Sequence, residues 1–342
     1  PRTKRPFEES TTTCVDGNKA HLVVPSSETI TSGYTKRGLL YYEVVTPTVR
    51  QVARNQFNCQ EMKGARLENQ PTNDGNCFGT HWEARLFATE IMSAITTVTK
   101  QVLSPLTLAL FEDSGWYKAD YSTAETNYFG HGLGCDFVYE DCIQDGEVPP
   151  WGKGFFCNTL LGSEAQLSCS PGHRFISRCD LVDFKNYPQS VSPNNMYQYF
   201  PDNPSYGGLL HTADYCPMPS MVVTGTNAKG IFEFDCEDST LNSSVDPEFF
   251  GPGSKCYNTN LSRPICMKTE CNADKGKVIV IVNDENGHPM PPITCENDGD
   301  KMEIPGMPQG STFECPSLAV MCPDFICPVN CRGRGICAYS LE

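Results

Sequence analysis

Apolar positions in the first third of the chain follow two periods. From His21 to Val45 the short runs HLVV and LLYYEVV, separated by Ser, Gly and Thr, predict strands. The polar residues ahead of them, 1–20, read as a loop with Cys14 as its anchor. Thr46-Pro47 then opens a helix, with Thr at the cap and Pro at the first helical position. Val49, Val52, Ala53 and Phe57 fall at i, i+3, i+4 and i+8, one apolar stripe turned to a core, and Cys59 closes the segment. Residues 60–80 are dense in Gly, Asn, Asp and Pro and predict a loop. Ser104-Pro105 repeats the helix start, with Leu106, Leu108, Leu110 and Phe111 apolar and Gly115 as the left-handed stop. Residues from Phe111 to Tyr117 are expected to close the core over its end.

Beyond about Cys135 the pattern changes. Gly, Pro and Asn punctuate short apolar runs, the longest being KVIVIV at 277–282, and the following 283–287 segment predicts a hairpin returning through Ile293-Thr294-Cys295. The last stretch, CPDFICPVNCRGRGIC, looks like the opening of an EGF-like module cut short, with a cysteine-rich tail of the preceding domain as the alternative. The boundaries expected are 1–135, 136–314 and 315–342, and the fold class is α+β.

At 342 residues the chain is long enough for two domains. A net charge of −15 repels phosphate backbones, and no basic stripe with interleaved aromatics interrupts it, which excludes a nucleic-acid partner. No apolar run reaches the length of a membrane span. Nineteen cysteines without a single Cys-x-x-Cys pair point to a disulfide framework and an oxidising, extracellular compartment. Because the count is odd, one thiol is free or has its partner elsewhere. Asn242-Ser-Ser and Asn260-Leu-Ser are glycosylation acceptors that agree with that compartment. The sequence starts at Pro1 with no signal peptide, as an excerpt or a processed product would.

Of the six histidines, His21, His81, His131, His173, His211 and His288, no two stand at the i, i+4 spacing that places two imidazoles on one metal. GxSxG and phosphate-loop motifs are absent as well. His81-Trp82-Glu83 has the His-x-Glu form of a zinc deaminase but lacks the Pro-Cys-x-x-Cys that completes its metal shell. On residue type alone His81 reads as a structural histidine, as do His131, His173 and His211.

Longer strings alter that. HWEARLFATEIMSAI, LSPLTLALFEDSGWYKADYSTAE and GHGLGCDFV, preceded by VTPTVRQVARNQFNCQEMKGARLENQ and followed by ADYCPMP, resemble the leishmanolysin family of zinc metalloendopeptidases. The resemblance implies the C-terminal part of a metzincin-type catalytic domain, then a disulfide-rich, β-leaning domain. In the family two histidines of an HExxH helix and a distant third hold one Zn²⁺ above a methionine turn. The third-histidine position matches His81 and the turn methionine Met92, with Glu83 and Glu90 as candidate orienting carboxylates. No counterpart of HExxH lies in these 342 residues, so no catalytic base is present and one ligand of three remains. Pro1 is expected just downstream of the zinc helix. The resemblance thus implies an endopeptidase acting on proteins or peptides, carried here as a segment inactive alone, with any membrane association supplied by parts outside it. The alternative is a non-catalytic extracellular adhesion or binding protein on the same scaffold.

Overall fold

The computed structural model describes residues 8–13, 19–24, 26–70, 79–95, 101–161, 167–187, 193–220, 235–241, 248–282, 288 and 290–339. The chain forms two compact units that interleave along the sequence. The first comprises 1–152, 183–216 and 326–342, and the second 153–182 and 217–325. Helix and sheet are mixed throughout.

The first unit begins with an antiparallel pair, β1 (Glu8–Thr13) and β2 (Lys19–Val24), in register from Glu8 opposite Val24 to Thr13 opposite Lys19. The loop expected over 1–20 therefore gives way to a strand at its centre. Three consecutive threonines favour extended backbone, and β2 supplies the partner that a local reading lacks. β3 (Ile30–Tyr34), β4 (Leu40–Val44) and β5 (Ala65–Arg66) make an antiparallel sheet in that order.

Helix α1 spans Pro47–Phe57 and buries Val49, Val52, Ala53 and Phe57, the stripe read from the sequence. Thr46 occupies the cap position, but its hydroxyl makes no capping bond. The first-turn amides of Thr48 and Val49 instead donate to Asp113 Oδ2 at 2.9 and 3.1 Å. A carboxylate at the end of another helix thus satisfies the positive end of α1. Asn58 ends α1 in the left-handed conformation, and the Cys59–Cys135 disulfide ties that end to the short helix at Cys135–Tyr139. Phe57 packs against Phe87 and Phe137, with ring centroids 5.4 and 5.8 Å apart. Gly130 (φ +71°) is required beside them, because a Cβ there would stand 2.6 Å from Phe137 and 2.7 Å from Phe57.

Two further helices follow, α2 (Ala84–Phe87) and α3 (Pro105–Asp113), the latter capped by Ser104 Oγ on the amide of Leu106. The expectation that Phe111 to Tyr117 form core is wrong: Phe111, Trp116 and Tyr117 are 44, 67 and 60 % exposed. α3 is only nine residues long and buries its Pro105, Leu106, Thr107 and Ala109 face. Phe111 falls on the opposite side, stacked edge-on with Tyr117. The C-terminal segment 326–339 lies against α1. Asn55 donates to the carbonyls of Asn330 (2.9 Å) and Gly335 (2.7 Å), and its oxygen accepts from the Cys337 amide. Within it Cys327 pairs with Cys337, and Cys331 is the one described cysteine without a disulfide.

The second unit is β-rich and disulfide-dense. Four antiparallel strands run in the order Ser254–Tyr257, Ile265–Asn272, Lys277–Ile281, Ile293–Cys295. The predicted return through Ile293 is present, with Val278 opposite Cys295 and Val280 opposite Ile293; the turn at 283–287 lies outside the described residues. Tyr257, Met267, Val280 and Phe313 fill the core. Five disulfides staple the unit: Cys157–Cys179, Cys169–Cys256, Cys236–Cys266, Cys271–Cys322 and Cys295–Cys315.

His173 sits among these with Nδ1 donating to the Cys256 carbonyl at 2.7 Å. Burial drops its pKa from the ordinary 6.5 to about 4, because the interior disfavours the imidazolium. The folded state therefore prefers neutral His173. This stabilisation is complete above pH 6.5 and is lost as pH falls towards 4. His173→Asn, a residue that tolerates the left-handed backbone found there (φ 54°), is expected to flatten the acid side of the stability profile. Urea titrations at pH 7 and pH 4.5 on both proteins measure it.

Candidate metal centre

His81 emerges from an irregular ladder built on the end of β5. The Glu68 amide donates to the His81 carbonyl (2.9 Å), the Glu83 amide to the Arg66 carbonyl (3.0 Å), and Leu67 bridges Trp82. On the other side the Trp82 amide donates to the Met92 carbonyl at 2.9 Å, and Trp82 bridges Ser93 in parallel. Backbone pairing thus joins Trp82, the residue after His81, to the turn that carries Met92. Trp82 and Glu83 are buried, whereas the His81 side chain is 42 % exposed. Its Nδ1 meets Glu68 Oε2 at 2.8 Å, and Nε2 has no partner among the described residues. Such a ring is neither in a dry core nor satisfied at both nitrogens.

The turn that carries Met92 rests on Glu90. This fully buried carboxylate accepts from the Met92 amide through Oε2, and from Ser104 Oγ (3.0 Å) and Thr107 Oγ1 (2.6 Å) through Oε1. Trp82 Nε1 donates to the same Thr107 hydroxyl at 2.9 Å. Desolvation raises the Glu90 pKa, and the hydrogen bonds it accepts oppose that rise. Glu90→Ala would strand three buried donors. It is expected to cost on the order of 2–3 kcal/mol, read as a lower thermal midpoint.

Glu83 has another task. Its Oε1 caps α2 at the Arg85 amide (3.1 Å). Burial and the nearby Asp214 carboxylate push its pKa well above the carboxylate range. Asp214, also raised by burial, accepts from Gln70 Nε2 at 2.9 Å. Arg85, buried beside them, donates to the carbonyls of Phe137 and Glu140. Neither Glu83 nor Glu90 hydrogen-bonds His81. The carboxylate that does is Glu68, which the sequence reading passed over.

The other histidines stand apart. His131 is buried, with Nε2 donating to the Ile326 carbonyl at 2.7 Å. His211 and His288 are exposed, and the His21 side chain is outside the described set. Among the described residues the one grouping of three potential metal-ligating side chains is Cys327, Cys331 and Cys337, two of which are disulfide-bonded. No such trio surrounds His81. Asn260 is exposed, its Nδ2 donating to the Gly310 carbonyl and its Oδ1 accepting from the Thr312 amide, both at 2.8 Å. Asn242 lies outside the described residues.

The site thus consists of a half-exposed imidazole at a bend, hydrogen-bonded to a buried carboxylate, in a mixed fold rich in disulfides. The family model for leishmanolysin matches residues 28–328, and the chain belongs to the leishmanolysin family. Among its relatives are the leishmanolysin-like peptidases of Drosophila pseudoobscura pseudoobscura, 32 % identical over 63 % of this chain and 32 % of that protein, and of Caenorhabditis elegans, 33 % identical over 63 % and 34 %. Leishmanolysin of Leishmania donovani is 26 % identical over 79 % of this chain and 44 % of its own length. The chain spans about a third of the length of the first two, at 32 % and 34 %.

Proposed function

We propose that this chain supplies the third zinc ligand, His81, and the methionine turn, Met92, of a zinc-dependent endopeptidase that acts on proteins or peptides outside the cell. The HExxH histidines and glutamate would come from sequence beyond these 342 residues. One observation carries the reading: the His81 ring is 42 % exposed and its Nε2 has no partner among the described residues, while the next residue, Trp82, hydrogen-bonds the Met92 carbonyl. An imidazole nitrogen with a free lone pair suits Zn²⁺, which binds His at about 2.0–2.1 Å. Bound there, the metal would supply Lewis acidity and a water acidified towards neutral pH.

This chain's own residues do the rest. The ladder through Leu67 and Trp82 anchors the backbone at His81, and Glu90 holds the turn that carries Met92, which in this reading would lie under the metal. The thioether would serve as an apolar floor, since a soft sulfur competes poorly with nitrogen for this metal. Without the HExxH glutamate the segment has no base, so it would be inactive alone. Cysteine usage supports secretion, and the negative charge supports protein substrates over nucleic acids. Membrane attachment, in this reading, belongs to other parts of the protein.

The test is one full-length preparation examined for metal and activity. Stoichiometric zinc with chelator-sensitive cleavage of casein is expected. Full-length protein that folds but binds no zinc and cleaves nothing would sink the reading and favour an extracellular adhesion protein on this scaffold.

A further inference from the structure

We infer that Glu68 is the positioning residue for His81, locking the imidazole in the tautomer that leaves Nε2 free for metal; this rests on the zinc reading above. Glu68 follows the Leu67–Trp82 bridge and pairs with His81, and its side chain is 1 % exposed while the ring it touches is 42 % exposed. The pairing is built from the backbone outward. The Glu68 amide donates to the His81 carbonyl and the Gly79 amide to the Glu68 carbonyl, both at 2.9 Å, so the two residues pair directly.

Gly79 belongs to the device. A Cβ at that position would stand 2.1 Å from Glu68 Oε2 and 2.8 Å from its Cδ. Any side chain there would push the carboxylate from its seat. The space a methyl group would fill is the space the carboxylate uses. Space at Gly79, burial of Glu68 and the 2.8 Å contact to Nδ1 are separate observations, and they converge on one atom.

The chemistry follows from the two ring nitrogens. A neutral imidazole carries one proton; a carboxylate accepting at Nδ1–H keeps it there and leaves the Nε2 lone pair outward. It also stops the ring rotating about χ2. Orienting partners of this kind typically change metal affinity about 10- to 100-fold when removed.

The experiment uses the full-length protein, labelled with ¹⁵N-histidine and stripped of metal. Long-range ¹H–¹⁵N spectra are expected to show His81 as the Nδ1–H tautomer in the wild type and in Glu68→Gln, whose amide oxygen can still accept. Glu68→Ala and Gly79→Ala should shift His81 towards the Nε2–H form. Zinc competition titrations should follow: about 10- to 100-fold weaker binding for Glu68→Ala and Gly79→Ala, with Glu68→Gln recovering most of the loss. Variants with unchanged tautomer and unchanged zinc affinity overturn the role of Glu68, and the glutamine and Gly79 variants decide it should Glu68→Ala not fold. Wild type that binds no zinc while showing the Nδ1–H tautomer overturns the zinc reading instead and leaves the Glu68 contact standing.

Discussion

His81→Ala in the full-length protein is expected to remove zinc and proteolysis together. Zinc content should fall from one ion per molecule towards none by elemental mass spectrometry, and casein cleavage should drop to background. A catalytic zinc held by three protein nitrogens keeps the fourth position for water. With two ligands left, a zinc ion would be held too weakly to stay and to supply the acidified water. The loss should exceed the 10- to 100-fold that changing an orienting group typically brings. His81 is partly solvated, so its removal opens no large void, and the thermal midpoint of the metal-free protein should barely move. Retained zinc and retained cleavage in His81→Ala would refute its assignment as a ligand.

The second large effect is on stability. Cys59 and Cys135 close a loop of 76 residues between the end of α1 and the helix at Cys135–Tyr139. Chain entropy predicts that opening a loop of this size costs about 4 kcal/mol. Cys59 is fully buried beside the Phe57, Phe87 and Phe137 cluster, so loosening it also frees the rings. Cys59→Ala/Cys135→Ala is therefore expected to shift the urea midpoint strongly. Cys331→Ser, at an exposed and unpaired thiol, should leave the midpoint in place. A double variant as stable as the wild type would show that packing alone holds the end of α1.

Local signals made much of this legible in the sequence. The α1 stripe, the Ser104-Pro105 start with its Gly115 stop, and the Lys277–Cys295 strand return all depend on residues within one turn or one hairpin of each other. His81 and Met92 came from long family-like strings, and the Trp82–Met92 hydrogen bond joins the two segments that carry them. What the sequence hid is pairing across distance. Glu68 stands in the string ARLENQ with nothing to mark it, and only the ladder that folds 66–68 onto 81–83 reveals its partner. Asp113 looks like the unremarkable end of α3, yet it caps a helix begun 66 positions earlier at Pro47. Trp116 and Tyr117 misled in the opposite sense, because large aromatics after a helix stop suggest burial and here meet solvent.

The bonds from Asn55 to Asn330, Gly335 and Cys337 carry a further consequence for biogenesis. Synthesis runs from the N-terminus at about 5–20 residues per second. α1 would leave the ribosome well before its last partners are made, and those partners emerge only after the whole of residues 217–325. During that interval the unit bearing His81 stays unfinished while a second, disulfide-stapled body assembles in the middle of its sequence. Any folding helper acting during synthesis would meet α1 with its C-terminal partners still missing.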